Sequence, residues 1–265
     1  MSEQTDYIYG RNAVLEALAS GKEIEKIFIS FNSQGETVKE VFNKARVAKV
    51  TCSKLDSRKF QRLEREVCPR DARTQGIIAQ ISLVEVLSVE DLIKKSFEKA
   101  ENPFIIILDE ITDPHNLGAI ARSAECAGAG GIILPERNSA PVTPTAVKIS
   151  AGALQHIPVA KSASLLRAFD VLREHDFTII GTDISAKESY TDLIYEAPIA
   201  IVIGSEGKGM RPSLRKNCDE LIKIPLAGKI GSLNASVSAG VIMFEILRQK
   251  TEAQSISGEC SVSPE

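Results

Sequence analysis

The chain has 265 residues, 43% hydrophobic and 25% charged, with a formal net charge of −3. That size fits one large or two modest domains of ordinary globular composition, with no overall basic excess to mark a nucleic-acid binder. No run approaches the roughly 20 apolar residues of a membrane span, and the polar, acidic start Met1–Asp6 reads as neither signal nor transit peptide. The five cysteines (Cys52, Cys68, Cys126, Cys218, Cys260) are far apart, without metal-ligand spacing. They read as reduced thiols of a cytoplasmic protein, and no metal site is expected.

Residues 1–82 read as a small α/β unit. Arg11–Leu18 has helical apolar spacing at Val14, Leu15 and Leu18, with Gly21 as a stop. Ile24–Ile29 reads as a strand, Val38–Ala48 as an amphipathic helix, Val50–Cys52 as a short strand and Leu55–Glu66 as a helix. Gln75–Ile81 closes the unit as a strand. Seven basic residues lie between Lys54 and Arg73, against four acids. On composition alone they form a solvated, ion-paired helix.

Residues 83–102 hold a polar helix, Val89–Ala100, and are the expected linker. A second α/β pattern fills 103–250. Its expected strands are 104–108, 132–134, 157–159, 177–180, 199–203 and 221–224. Helices are expected over 117–127, 144–151, 165–175 and 233–248, the last apolar on more than one face and so buried. Alternation of strands and helices implies a mainly parallel sheet. Residues 251–265, rich in Ser and Glu, read as a disordered tail.

Three loops carry the candidate chemistry, because parallel α/β proteins bind ligands beyond the carboxyl ends of their strands. The first is Asp113-Pro-His-Asn116, running into Gly118 and Arg122. Asn116 is a candidate helix cap and Arg122 an isolated cation in a small, apolar helix; a cap and a structural ion pair explain them equally well. The second is Gly204-Ser-Glu-Gly-Lys-Gly209 after a β-branched run. It lacks the spacing of a phosphate loop and of a dinucleotide fingerprint. Its glycines permit close backbone approach by a ligand, and Glu206 has little packing purpose there. The third, Gly228–Ser236, enters the last helix, which Ser232 or Asn234 can cap; against a simple cap, Ser232, Asn234, Ser236 and Ser238 make an unusually polar entry to a very apolar helix.

Taken together these segments resemble the SpoU branch of the SPOUT RNA methyltransferases. Asp-Pro-x-Asn-x-Gly-x-x-x-Arg stands at 113–122, Gly-x-Glu-Gly-x-Gly at 204–209, and Ile224-Pro225 precedes Ser-Leu-Asn-x-Ser at 232–236. Tyr9–Leu18 and Gln75–Ala79 are similar to the L30e-like substrate-binding domain of the RlmB subgroup, the 23S rRNA guanosine-2′-O-methyltransferases. The resemblance implies an L30e-like unit over 1–82 and a SPOUT catalytic domain over 103–250 with a C-terminal trefoil knot. It also implies a homodimer, S-adenosylmethionine as methyl donor and an rRNA substrate; no membrane partner is expected, since no apolar run is long enough. Asn116, Arg122, Glu206, Ser232 and Asn234 match reaction-site positions. Gly204, Glu206, Gly207, Ile224, Leu226, Leu233, Asn234 and Ser236 match donor-binding positions. RNA contact falls to Arg11, Arg58, Lys59, Arg62, Arg70 and Arg73. Methylation of tRNA ribose or of an rRNA adenosine, as in thiopeptide resistance, and a non-catalytic assembly factor are the competing readings.

Overall fold

A computed structural model describes residues 7–22, 24–48, 50–69, 71–81 and 84–259. The chain forms two compact units, one running up to Glu85 and including Val142–Pro144, the other made of Val86–Pro141 and the chain from Thr145 onward. Arg70, one of the expected RNA contacts, lies outside the described residues.

The first unit runs β1 (Tyr7–Tyr9), α1 (Arg11–Ala19), β2 (Ile24–Ser30), α2 (Glu36–Val47), β3 (Thr51–Leu55), α3 (Ser57–Val67) and β4 (Ile77–Ile81). The sheet order is β1-β4-β2-β3, with β2 and β3 parallel and β4 antiparallel to both its neighbours. Ile27, Ile29, Ile77 and Ala79 point to one face and pack with Val14 and Ala17 of α1 and Val38, Val41 and Ala45 of α2. The helix α3 lies against β2 and β3 and buries only Phe60. Its remaining surface is polar, and Asp56 caps it by accepting from the Lys59 amide at 2.9 Å. The short strand β1 has no counterpart in the sequence reading: three residues are too few to show a period.

The second unit begins earlier than expected. Val86–Leu87 (β5) pairs with a strand of the second sheet, and α4 (Val89–Lys99) buries Val89, Leu92, Ile93 and Ser96. Residues 86–99 are therefore part of this unit and not a linker; the helix is polar on its outer face only. The chain continues through β6 (Phe104–Leu108), α5 (Pro114–Cys126), β7 (Gly131–Pro135), α6 (Pro144–Ile149), β8 (Val159–Ser162), α7 (Leu165–Arg173) and β9 (Thr178–Thr182). It ends with β10 (Glu188–Ser189), β11 (Ile199–Ile203), α8 (Pro212–Arg215), β12 (Glu220–Lys223) and α9 (Ala235–Glu259).

All eight strands are parallel, in the order β10-β12-β9-β11-β6-β7-β8-β5. Helices α4 and α7 cover one face, where Leu92, Phe169 and Leu172 meet Ile105, Ile107, Ile179 and Val202. Burial on both faces explains why β6, β7 and β11 read as unbroken apolar runs.

The helix α5 packs on α9. The close approach of α5 to its surroundings depends on Gly118: a Cβ there would lie 2.7 Å from the Ala146 carbonyl oxygen and 2.9 Å from the Ile149 side chain. Two expectations about the C-terminus change. The helix runs to Glu259, so 251–259 is helical and not a disordered tail. It is also not buried all round: Ala239, Ile242, Met243 and Ile246 are buried, whereas Val237 and Phe244 are each 50% exposed.

Candidate active site

The order of the second sheet places the site. From β6 the chain moves outward through β7 and β8, then returns to build β9, β11 and β12 on the other side. The loops after β6 and β11 therefore part at a topological switch point, where parallel α/β proteins leave a crevice. The first loop carries Asp109–Asn116 and the second Gly204–Arg211.

The loop after β11 is a tight hairpin. Ser205 and Gly209 exchange backbone hydrogen bonds of 3.1 and 2.9 Å, and Gly207 and Gly209 take left-handed angles of φ 77° and 69°. Gly204 has a different purpose from the one its position suggests. A Cβ there would lie 2.3 Å from both the Gly209 carbonyl carbon and the Met210 nitrogen, so the hairpin itself folds back over it. We expect Gly204→Ala to cost about 1–3 kcal/mol through backbone displacement. Gly207→Ala, with open space around it, should cost only the roughly 1 kcal/mol of left-handed strain. Thermal melting of the two variants tests this order.

The hairpin is tied to β6 from below. Asp109 is fully buried. Its carboxylate accepts from the Arg211 backbone amide at 2.8 Å and from Arg211 Nε at 2.6 Å, while its own amide donates to the Ile203 carbonyl at 2.8 Å. Three bonds thus hold the two switch-point loops together. The sequence reading missed this pair. Aspartate at the end of an apolar strand was its only local signal.

At the tip of the hairpin three expected residues converge. Asn116 Nδ2 donates to Glu206 Oε1 at 3.0 Å. Asn234 Nδ2 donates to Asn116 Oδ1 at 3.0 Å and also to Glu206 Oε1. Asn234 Oδ1 accepts from the Ser236 amide at 2.8 Å, which makes Asn234 the cap of α9 and fixes its amide toward Glu206. Asn116 is not a cap. Asp113 caps α5 by accepting from the His115 amide at 2.9 Å, with Pro114 in the first turn. That frees the Asn116 side chain. Glu206 Oε2 has no hydrogen-bond partner among the described residues.

Beside this cluster lies a cavity of about 300 Å³. Gly204, Glu206, Gly207, Ile224, Leu226, Ser232 and Leu233 line it. So do Thr182 at the end of β9 and Asp183 and Ile184 just after it, which the sequence reading left out although they too lie at the carboxyl end of a parallel strand. Arg122 is exposed, is absent from the cavity wall, and makes no hydrogen bond or ion pair among the described residues. The structure does not support a structural ion pair for it, nor does it join it to the Asn116–Glu206–Asn234 cluster.

Asp183 is held ionised. Partial burial would raise its pKa, but hydrogen bonds from the Ser185 hydroxyl and amide and the Arg215 guanidinium outweigh that and hold it below its ordinary value. A depressed folded pKa contributes stability above the unfolded value, about 3.9, and loses it as pH falls through the folded one. The melting-temperature gap between the unaltered chain and Asp183→Asn should be full near neutral pH and close below about pH 4. A gap independent of pH would contradict the assignment.

In the first unit, Arg58, Lys59 and Arg62 are exposed on α3 and Arg73 is exposed before β4. Arg11 is half-buried, its backbone amide donating to Gln75 Oε1 and its Nε to the Gln75 carbonyl.

The fold defines a two-unit α/β protein with a cavity at the switch point of a parallel sheet. The chain belongs to the SpoU rRNA methylase family of RNA methyltransferases, whose model matches residues 103–244. Residues 7–87 match the model described as RNA 2′-O ribose methyltransferase substrate binding. YacO of Bacillus subtilis, named for the TrmH family of tRNA/rRNA methyltransferases, is 40% identical over 250 residues, 94% of this chain and 98% of that one. The protein slr0955 of Synechocystis, named as a tRNA/rRNA methyltransferase, is 41% identical over 94% of this chain and 64% of its own length. Among solved structures, the SpoU methyltransferase AviRb from Streptomyces viridochromogenes, in complex with AdoMet, shares the fold. Its TM-score is 0.58 at 23% identity, over 93% of this chain and 90% of that one.

Proposed function

We propose that the chain transfers a methyl group from S-adenosylmethionine to the 2′-hydroxyl of a guanosine ribose in 23S rRNA. The observation that carries this reading is the convergence of Asn116, Glu206 and Asn234, from three separate segments, with Glu206 on the wall of one cavity. The cavity suits the donor. Its apolar wall of Ile222, Ile224, Leu226 and Leu233 can sandwich a nucleoside, and backbone of the hairpin and of 224–226 is available for polar contacts.

When bound, S-adenosylmethionine supplies an electrophilic methyl group on a positively charged sulfur. The ribose oxygen must be aligned with that group and relieved of its proton. Glu206 is oriented by two amide donors on one oxygen and offers the other to the proton. A guanidinium has no lone pair to offer a proton, so the role of Arg122 is to stabilise charge on the ribose oxygen or to hold a neighbouring phosphate. Ser232 and Ser236 position the entry to α9.

The enzyme works in the cytoplasm as a homodimer, and the trefoil knot implied by the family resemblance belongs to the same reading. Val237 and Phe244, half exposed on α9, support the dimer, since an apolar helix face of this kind is covered in a stable assembly. The test of function is incubation with methyl-labelled S-adenosylmethionine and large-subunit rRNA, then nucleoside analysis. Labelled 2′-O-methylguanosine is the expected product. Label in tRNA, or in adenosine, would reject the substrate; no label in any RNA would reject the activity.

A further inference from the structure

The four loops at one edge of the first unit form a single surface. Strands β1, β2 and β3 end at that edge and β4 begins there. The backbone of Phe31 extends the β2–β3 ladder by donating to the Leu55 carbonyl at 2.8 Å, and Asn32 Nδ2 donates to Ser57 Oγ at 3.0 Å. A Cβ on Gly76 would strike Ser33 Oγ, and one on Gly10 would lie 3.3 Å from the Arg73 carbonyl oxygen. The Arg11 guanidinium reaches across to within 3.7 Å of a Cβ placed on Gly35. Every loop is thus braced by its neighbour.

Phe31 stands on this braced edge with 69% of its surface exposed. Single exposed apolar residues are common. This one differs in kind: it is a flat aromatic ring on a pinned turn (Ser33 amide to Ser30 carbonyl, 2.9 Å), and the loops and helix starts beside it carry cations (Arg11, Arg58, Lys59, Arg73) with the acids Glu36, Asp56 and Asp71 among them. Arg58 and Lys59 are exposed at the start of α3 and Arg73 on the loop before β4, with half-buried Arg11 at the start of α1. Asp56, the nearest acid of the α3 loop, is committed to capping α3 and to Lys59. Helices α1, α2 and α3 also start at this edge, adding the positive ends of their dipoles.

We propose that this edge binds unpaired RNA, with one nucleobase stacked on Phe31 and the flanking phosphates on Arg11, Arg58, Lys59 and Arg73. An aromatic platform inside a basic rim is what single strands require; bases in a duplex are already stacked and offer no face to a side chain. The surface therefore selects a loop or bulge of the substrate RNA. This rests on the reading of the chain as an RNA methyltransferase and adds to it the form of RNA recognised.

The test uses the full chain, a short single-stranded RNA carrying one 2-aminopurine, and a duplex of the same sequence. Stacking on Phe31 should quench the 2-aminopurine. Phe31→Ala should remove the quenching and weaken single-strand binding by about 5- to 150-fold, the loss expected for one base–aromatic stack. Its salt dependence and its duplex affinity should be unchanged, and Phe31→Trp should retain both affinity and quenching. Replacing Arg58 and Lys59 by Ala should flatten the salt slope by about 0.7 per cation. Equal melting temperatures would show that Phe31→Ala folds. Unchanged single-strand binding by Phe31→Ala, with methyl transfer intact, overturns this inference and leaves the proposed activity standing. Loss of affinity only for an intact ribosomal particle would assign Phe31 to a protein contact and also overturn it. Failure of the unaltered chain to bind any RNA or transfer any methyl group overturns both readings.

Discussion

Arg122→Ala is expected to lower methyl transfer by about 100- to 1000-fold, the range for removing one group that stabilises developing negative charge, while donor affinity changes little. The separation follows from placement. Arg122 is exposed on α5, takes no part in the cavity wall and has no partner among the described residues. Its removal therefore opens no hole in the fold and strips nothing from the donor cavity. An unpaired guanidinium in this setting is free to meet the RNA. Single-turnover kinetics with calorimetry of donor binding reads the two effects apart. Equal falls in turnover and donor affinity would place Arg122 in the donor site and refute its assignment to the reacting oxygen. Arg122→Lys should recover only part of the activity, because an ammonium cannot reproduce the planar fork of a guanidinium.

Asp109→Ala is expected to act by the opposite route, through stability and donor binding together. The variant leaves the Arg211 amide without its acceptor and Arg211 Nε without its carboxylate. The Arg211 amide left without its acceptor costs about 1–3 kcal/mol, while the half-exposed Arg211 guanidinium turns to water. Part of that loss should appear locally, because Asp109 is the tie between β6 and the hairpin that carries Glu206. Denaturant unfolding measures the first effect and calorimetric donor affinity the second. Arg211→Ala should spare more of the donor affinity: it leaves the buried Asp109 carboxylate without its cation, but the backbone bond to Asp109 still ties the hairpin to β6. If Arg211→Ala lowered donor affinity more than Asp109→Ala, the buried carboxylate would not be the anchor.

These two residues also mark what could and could not be read from the chain. Arg122 was legible because it belongs to a short pattern, Asp113 to Arg122, whose spacing is local. Asp109 was not, since its partner is 102 residues away and nothing near it in sequence announces a pairing. The same division runs through the rest of the site. Asn116, Glu206, Ser232 and Asn234 stood out as polar residues in small or apolar settings. That Asp113 and not Asn116 caps α5 depends on one side-chain choice, and several capping residues in a row leave that choice open to sequence reasoning. The expected linker failed for a related reason. A helix with a polar outer face and one buried stripe at Leu92, Ile93 and Ser96 looks the same whether it bridges domains or covers a sheet.

The sequence by itself determined the alternation of strands and helices, the parallel second sheet, and three loops with unusual glycine and polar spacing. Each of these depends on backbone propensity and on the period of burial along a few residues. Only the tertiary structure decided that β11 inserts beside β6. That insertion closes Asn116, Glu206 and Asn234 into one hydrogen-bonded cluster, buries the Asp109–Arg211 tie, and gives Gly204 its purpose beneath the hairpin. Strand order and loop closure are set by packing between segments about a hundred residues apart, and no local period encodes them.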